Sequence, residues 1–528
     1  MERRLSEFFT DETADKAGLA ASNVKTDLVK KDPVVTDLQY DSRNVKNGSL
    51  FFALPGLHTD GSIFIDDAIS KGASVIVHEN EIHEKKPDVV YLKVKDSRFA
   101  MSPVSASFYD FPSRRLLVTG VTGTEGKSTT VYLIWQLLTL LGEKAGFFST
   151  VQRSLGKEVI WNSEHQTTPE APVVQRLLYE MANNGCRYAV IEASSHGLSK
   201  KTNRLGDVEF CSAVLTNITH EHLEFHGTWE QYREDKANLF RALDNYIPGP
   251  ESDFSGPFGV INADDKSLRF FADATRHKIF KYSASGREAD IVITAFENSA
   301  WGNWYNLYIP AAGEFIDVRD RLTGSFNAHN ILAALLAVSG LLKLPVRKIT
   351  PYINKLKPVR GRMTSINRGQ PFEVVVDYAH TPSSFQAVFP PLRSRLNKTG
   401  GRIISVFGSA GERDTQKRAQ QGEIASGYSD IIILTDEDPR GENPMDIIED
   451  IAKGIEENKT KEFRRGENLF LIADRLAAIR KALNCANRGD MVLLLGKGHE
   501  NSIIYADHVM PFDEITEAEK ALSENGYR

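Results

Sequence analysis

Val118-Thr119-Gly120-Val121-Thr122-Gly123-Thr124-Glu125-Gly126-Lys127-Ser128-Thr129-Thr130 runs from an apolar segment into an amphipathic one through three glycines and a lysine beside a hydroxyl. Upstream, residues 116–119 read as a buried parallel strand; downstream, Val131, Ile134, Trp135, Leu138 and Leu141 recur at helical spacing and stop before Gly142. A glycine-rich turn between strand and helix aims backbone N–H groups at phosphate oxygens, and the helix N-terminus adds its positive end. Lys127 then reaches the β and γ groups of a nucleoside triphosphate, and Ser128 offers its hydroxyl to Mg²⁺. The strict spacing of such loops has a glycine at 121. Here Val121 stands there and Gly120 comes one residue early, so the flanking strand and helix carry the reading.

Outward from this loop, 528 residues are too many for one ordinary core and imply several domains. A formal net charge of −6 excludes a bulk electrostatic surface for nucleic acid, so no nucleic-acid partner is expected. Cys186, Cys211 and Cys485 are scattered, without paired spacing for zinc or disulfides, which fits a reducing compartment. Met1-Glu2-Arg3-Arg4 opens no apolar signal region, and the longest apolar stretch, 331–342, is too short and broken to span a bilayer. A cytoplasmic protein with no membrane insertion is expected.

The fold class read from the sequence is α/β, in three domains. Residues 1–112 hold short strands at 49–54 and 73–77 with a helix at 65–70 between them, a small α/β unit. Residues 113–357 alternate strands at 116–119, 188–193 and 213–216 with helices, the pattern of a parallel sheet opened by the phosphate loop. A turn-rich insertion at 248–257 reads as a surface loop. Residues 358–528 form a third, Rossmann-like unit with strands at 374–376, 403–407, 431–434 and 491–495.

Ligands in open α/β sheets gather at the carboxyl ends of strands. Strand 188–193 delivers Glu192, then Ser194-Ser195-His196-Gly197; strand 213–216 delivers Asn217, then His220-Glu221-His222-Leu223-Glu224 and His226. A carboxylate and imidazoles near a phosphate loop suit Mg²⁺ shared with phosphates. Taken singly, His196, His220 and His226 read as structural histidines; Glu192 and His222 together read as a site. In the third unit, Asp377-Tyr378-Ala379-His380-Thr381-Pro382, Gly408-Ser409-Ala410-Gly411-Glu412-Arg413-Asp414, Asp436-Glu437-Asp438-Pro439-Arg440 and Gly496-Lys497-Gly498-His499-Glu500 all follow apolar strands.

With these motifs in this order, the chain resembles the Mur ligases over nearly its whole length, above all the members that add the third residue to UDP-N-acetylmuramoyl-L-alanyl-D-glutamate. The resemblance implies an ATP-dependent ligase of peptidoglycan precursor synthesis: ATP phosphorylates a substrate carboxylate, and an amine attacks the resulting acyl phosphate. It implies ATP and Mg²⁺ as cofactors, small-molecule substrates as the only partners, and a monomer. Gly123, Thr124, Glu125, Gly126, Lys127, Ser128 and Thr129 would hold the triphosphate; Glu192 would join Ser128 at one Mg²⁺ and His222 would serve a second. Lys236 matches the family's carbamylated lysine (N6-carboxylysine), a cation turned into an anion that supports the second metal. Asn327 would contact adenine, and Arg362, Asp377 and His380 would reach the nucleotide from the third domain, implying closure; His380 could instead fix its own turn.

For the nucleotide sugar, the resemblance points to Ser42, Leu57, His58 and Thr59, and for the muramoyl dipeptide to Gln166, Thr167, Thr168, Ser194 and Arg204. Arg204 suits anionic oxygens, with a surface arginine as the competing reading. For the incoming amino acid it points to Arg413, Glu437, Asp438, Pro439, Arg440, Gly496 and Glu500. The diaminopimelate enzymes carry Asp-Asn-Pro-Arg where this chain has Glu437-Asp438-Pro439-Arg440. Arg440 suits a distal carboxylate, while Asp438 adds a negative charge that favours a bare ammonium, so lysine, ornithine and meso-diaminopimelate all stay open, as does pairing of Arg440 with Asp438. Glu125 replaces the asparagine common in the family's loop, and Arg360 a frequent proline. A related ligase, such as a folylpolyglutamate synthetase or the next enzyme of the pathway, would share the ATP motifs but not the sequences at 437–440 and 496–500. A catalytically dead binder would have lost Lys127, Glu192, His222 or Lys236, and all four are present.

Overall fold

The computed structural model describes residues 1–19, 31–55, 60–162, 166–219, 223–247, 254, 256–299, 302–322, 324–458 and 461–528. Two units divide the chain: Met1–Ser283 with Arg287–Ile291 and Leu332–Ile349, and Ala284–Gly286 with Val292–Ile331 and Thr350–Arg528.

The first unit opens with a four-stranded parallel sheet, β1 (Asp37–Gln39), β2 (Ser49–Phe52), β3 (Val75–His78) and β4 (Val90–Lys93), paired in that order. Every residue of β2 and β3 is buried, as expected of parallel strands covered on both faces. Helix α1 (Ile65–Ser70) links them, and α2 (Ser97–Phe108), capped by the Asp96 carboxylate on the Phe99 N–H, buries Met101, Val104 and Phe108 against Phe8, Phe52 and Val77.

A larger sheet follows, made of β5 (Leu117–Thr122), β6 (Ala145–Phe148), β7 (Gln152–Ser154), β8 (Ile160–Trp161), β9 (Tyr188–Glu192), β10 (Ser212–Leu215), β11 (Phe258–Asn262) and β12 (Lys278–Ser283). Within this unit they run in the order β8-β7-β6-β9-β5-β10-β11-β12, parallel from β6 through β12, with β7 and β8 added antiparallel. Helices α3 (Lys127–Leu140), α4 (Ala171–Asn183) and α5 (Trp229–Ala242) cover it. β5 continues to Thr122, past the expected end at 119, because Gly120 and Val121 keep pairing with β9 and β10. Gly120 is therefore a strand glycine: a Cβ there would lie 2.5 Å from Leu239 of α5 and 2.8 Å from Phe210. The insertion at 248–253 and 255 lies outside the described residues.

In the second unit β13 (Ile291–Ser299), β14 (Gly302–Ile309) and β15 (Glu314–Arg319) form an antiparallel meander that the sequence reading did not anticipate. Helix α6 (Asn327–Leu342) follows, its residues from Leu332 onward belonging to the first unit. The third expected unit contains β16 (Thr364–Ile366), β17 (Glu373–Asp377), α7 (Pro382–Asn397), β18 (Ile403–Phe407), α8 (Gln416–Tyr428), β19 (Ile431–Leu434), α9 (Pro444–Glu457), β20 (Leu469–Leu471), α10 (Arg475–Cys485), β21 (Met491–Leu495) and α11 (Glu514–Glu524). Its strand order is β16-β17-β21-β18-β19-β20, all parallel except β16. One apolar core lies on each face of this sheet. Among the described residues no single helix is long and apolar enough to cross a membrane.

Candidate active site

After β5 the chain turns at Gly123, whose φ of +146° leaves no room for a side chain: a Cβ would sit 1.9 Å from Thr216 Oγ1. Gly126, at φ +83°, places no side-chain cap on α3, so the first-turn N–H groups at Lys127, Ser128 and Thr129 stay available to an anion. The loop is fixed from the β10 side. Thr124 N–H donates to Asn217 O (2.8 Å), Glu125 N–H to Asn217 Oδ1 (3.0 Å), and Thr216 Oγ1 to Glu125 O (2.6 Å). Thr124 Oγ1 lies 3.0 Å from the Tyr232 hydroxyl of α5. Lys127 Nζ donates to Thr124 O at 2.7 Å, holding its charge over the loop.

Two further groups meet here. Glu192, 1% exposed at the end of β9, accepts from Ser128 Oγ at 2.8 Å and from Thr150 N–H and Oγ1 at 2.9 and 3.1 Å. Thr150 went unnoticed in the sequence; its signal, a hydroxyl just beyond an apolar strand, is shared by many loops. Lys236, 1% exposed on α5, donates to Gly123 O at 2.6 Å with its Nζ 4.6 Å from the Tyr232 ring. His222 lies outside the described residues. His226 is structural, as read: its Nδ1 is 2.8 Å from Asp235 Oδ2 and its Nε2 3.0 Å from Ser195 Oγ, all buried.

On the dipeptide side, Thr168 Oγ1 donates to Glu192 O and accepts from Ser194 N–H at 2.8 and 2.9 Å, while Thr150 Oγ1 reaches Thr167 Oγ1 at 3.1 Å. Thr167 is thereby joined through Thr150 to the Glu192 carboxylate, and Thr168 and Ser194 to the Glu192 backbone carbonyl; Gln166 is exposed beside them. Ser194 Oγ caps the turn that follows, accepting from Gly197 N–H. Arg204 is no surface arginine. Its side chain is 12% exposed and donates to Thr168 O (2.8 Å) and Glu170 Oε1 (2.9 Å), the latter shared with Arg98. Ser42 is buried, its carbonyl accepting from Lys71 Nζ at 3.1 Å; Leu57, His58 and Thr59 lie outside the described residues.

The remaining expected residues lie in the second unit. Asn327, 5% exposed, opens α6 and accepts from Asn330. The Asp377 carboxylate takes the N–H groups of Met363 (2.7 Å) and Ala379 (2.8 Å), and burial pushes its pKa up. Arg362 stacks on Tyr378, 4.6 Å from the ring centre. His380 Nδ1 lies 2.9 Å from Tyr378 O, fixing its own turn, and burial lowers its pKa to about 4, so the imidazole is neutral.

Beyond β18, β19 and β21 three loops carry the residues expected for the incoming amino acid. Glu437 is 6% exposed, and its Oε2 has no hydrogen-bond partner among the described residues; burial raises its pKa. Gly496 makes room for it, because a Cβ there would lie 2.9 Å from that oxygen. Asp438 pairs with Lys497 Nζ at 2.8 Å and accepts the Ile504 N–H at 3.0 Å. The expected extra charge is therefore met by Lys497, and Asp438 does not pair with Arg440. Its neighbour Glu437 forms no ion pair among the described residues. Arg440 is half-buried, anchored by its own N–H on Ile504 O, and forms no ion pair among the described residues. Lys497 also bonds Glu500, which accepts from the Tyr378 hydroxyl at 3.2 Å; Pro439 is buried and Arg413 exposed.

A phosphate loop with a carboxylate at its hydroxyl in one unit, and a cluster of charged side chains at the strand ends of a parallel sheet in the other, are the features of a nucleotide-dependent enzyme acting on small charged substrates. Three family models match the chain: Mur ligase family, catalytic domain, over residues 34–114; Mur ligase middle domain over 121–338; and Mur ligase, glutamate ligase domain, over 361–498. The UDP-N-acetylmuramyl-tripeptide synthetase of Treponema denticola is 50% identical over 508 residues, covering 93% of this chain and 94% of that protein. That of Treponema pallidum is 47% identical over 509 residues, covering 92% and 93%. A solved UDP-N-acetylmuramoyl-L-alanyl-D-glutamate--2,6-diaminopimelate ligase superposes with a TM-score of 0.61 at 28% identity, covering 94% of this chain and 96% of its own. The chain belongs to the Mur ligase family and is an ATP-dependent amide ligase.

Proposed function

We propose that this chain joins a diamino acid to UDP-N-acetylmuramoyl-L-alanyl-D-glutamate in peptidoglycan precursor synthesis. The observation that carries the reading is the Ser128–Glu192 contact of 2.8 Å at the head of α3, which puts two oxygen donors where a triphosphate would lie. That donor set fits Mg²⁺, a hard cation that takes oxygen ligands and keeps waters and phosphates as the rest of its shell. Ser128 and Glu192 would hold one ion, and His222 with carbamylated Lys236 a second. Bound there, Mg²⁺ would neutralise charge on the phosphates. A carbamate nitrogen keeps one N–H, enough to retain the Lys236 bond to Gly123 O.

The residues then divide the work. The Lys127 ammonium and the backbone N–H groups of Lys127, Ser128 and Thr129 orient ATP so that a substrate carboxylate oxygen takes the γ-phosphoryl group, leaving ADP. Thr167, Thr168, Ser194 and Arg204 shape the floor on which that carboxylate is presented. The amine of the incoming amino acid, after losing a proton, attacks the acyl carbon, and inorganic phosphate departs with the C–O bond. Glu437 receives an ammonium of this amino acid, and Arg440 and Arg413 its carboxylate end.

The test is phosphate release and product mass with ATP, Mg²⁺ and the dipeptide nucleotide, offering L-lysine, L-ornithine and meso-diaminopimelate separately. Turnover with one of them supports the reading; turnover with none overturns it. For Lys236, stripping CO₂ and bicarbonate from the assay is expected to lower kcat and adding bicarbonate to restore it; a rate indifferent to bicarbonate, with Lys236 unmodified by native mass spectrometry, excludes the carbamate.

A further inference from the structure

The loops at 435–440 and 496–500 leave β19 and β21, which each pair with β18 between them and so share no ladder hydrogen bond of their own. Past the strand ends, two buried cations tie one loop to the other. Arg475, at the start of α10, donates from one terminal nitrogen to Asp436 O (2.8 Å) and from the other to Leu495 O (2.7 Å). These carbonyls belong to the residues immediately before Glu437 and Gly496. The rest of the guanidinium is held by Glu514 of α11, with Nε to Oε2 at 2.8 Å and the terminal nitrogen to Oε1 at 3.0 Å; both side chains are 0% exposed. Nearer the pocket, Lys497 repeats the tie through Asp438.

A fully buried ion pair is a poor source of stability, since desolvation offsets its attraction. What a planar, forked guanidinium does supply is fixed geometry between two acceptors. We propose that Arg475, braced by Glu514, is a positioning residue that sets the spacing of the two loops and thereby the side-chain length the pocket accepts. The proposal rests on the reading that these loops hold the incoming amino acid.

The test uses the full-length enzyme and steady-state kinetics on ATP, the dipeptide nucleotide, the best amino acid and its analogue one methylene shorter. The principal variant is Arg475→Met with Glu514→Leu, an apolar exchange of similar volume that leaves no unpaired buried charge. Arg475→Lys, which keeps a cation opposite Glu514 but loses the fork, covers the case in which the double variant does not fold. We expect KM for the amino acid to rise about tenfold or more, and the kcat/KM ratio between the two chain lengths, which one methylene sets at ~10–200-fold, to fall toward one. KM for ATP should stay unchanged. A folded variant with unchanged amino-acid KM and length ratio overturns the proposal, as does an equal rise in all three KM values. Glu437→Gln separates the two ideas: if it leaves the amino-acid KM unmoved, the pocket assignment itself fails; if it moves that KM while the Arg475 variants do not, only the positioning role fails.

Discussion

Lys127 stands over its own loop, with its ammonium 2.7 Å from Thr124 O, before any phosphate arrives. It forms no ion pair among the described residues, so replacing it removes charge from the ligand side and little from the fold. Lys127→Met is expected to lower kcat/KM for ATP by at least about a hundredfold while leaving the unfolding temperature unchanged, measured by coupled ADP release and thermal denaturation. His380 behaves oppositely, because burial holds it neutral down to a pKa of about 4 against 6.5 when unfolded. Between those values the unfolded chain binds more protons, so stability is complete above pH 6.5 and falls as pH drops toward 4, by at most ~3 kcal/mol. Urea unfolding at pH 5 and pH 7 checks this: the difference should shrink in His380→Asn, and an unchanged difference would assign the acid sensitivity elsewhere.

At the scale of elements, the sequence was most readable where burial on both faces makes a strand continuously apolar. The segments 403–407, 431–434 and 491–495 match β18, β19 and β21, and the loop after β5 was found from its flanks. The β13–β15 meander was missed because its alternation, polar on one face, was subsumed in an expected parallel sheet. Pairings between distant residues have no local signal: Glu192 beside Ser128, 64 positions apart, is expected only from the family resemblance, and Lys497 with Asp438, 59 apart, not at all. That is why the sequence offered Arg440 and not Lys497 as a partner for Asp438. Close backbone contact was equally hidden. Gly361, at φ +73°, would place a Cβ 2.3 Å from the backbone of Gly498 and His499. Gly361→Ala should therefore cost more than about 1 kcal/mol in chemical denaturation and raise KM for the amino acid through the displaced 496–500 loop. An alanine variant with both unchanged would show that the two segments separate without penalty.

For the whole molecule, the phosphate loop with Glu192 and Lys236 belongs to one unit, and the pocket of Glu437, Arg440, Lys497 and Glu500 to the other. Each has its own apolar core, so the units can unfold with separate free energies and respond to ligands separately. Ligand at a hundred times its Kd stabilises what it binds by ~2.7 kcal/mol, provided the unfolded chain does not bind it. Calorimetry of the full chain is expected to resolve two transitions. Mg²⁺ with a non-hydrolysable ATP analogue should raise the one to which Lys127→Met is blind to ligand, and the amino acid should raise the one weakened by Gly361→Ala. If every ligand instead moves one common transition, the units unfold together, and the stability lost in Gly361→Ala must then reappear as lowered thermal tolerance of the phosphate loop, readable as earlier loss of nucleotide binding on heating.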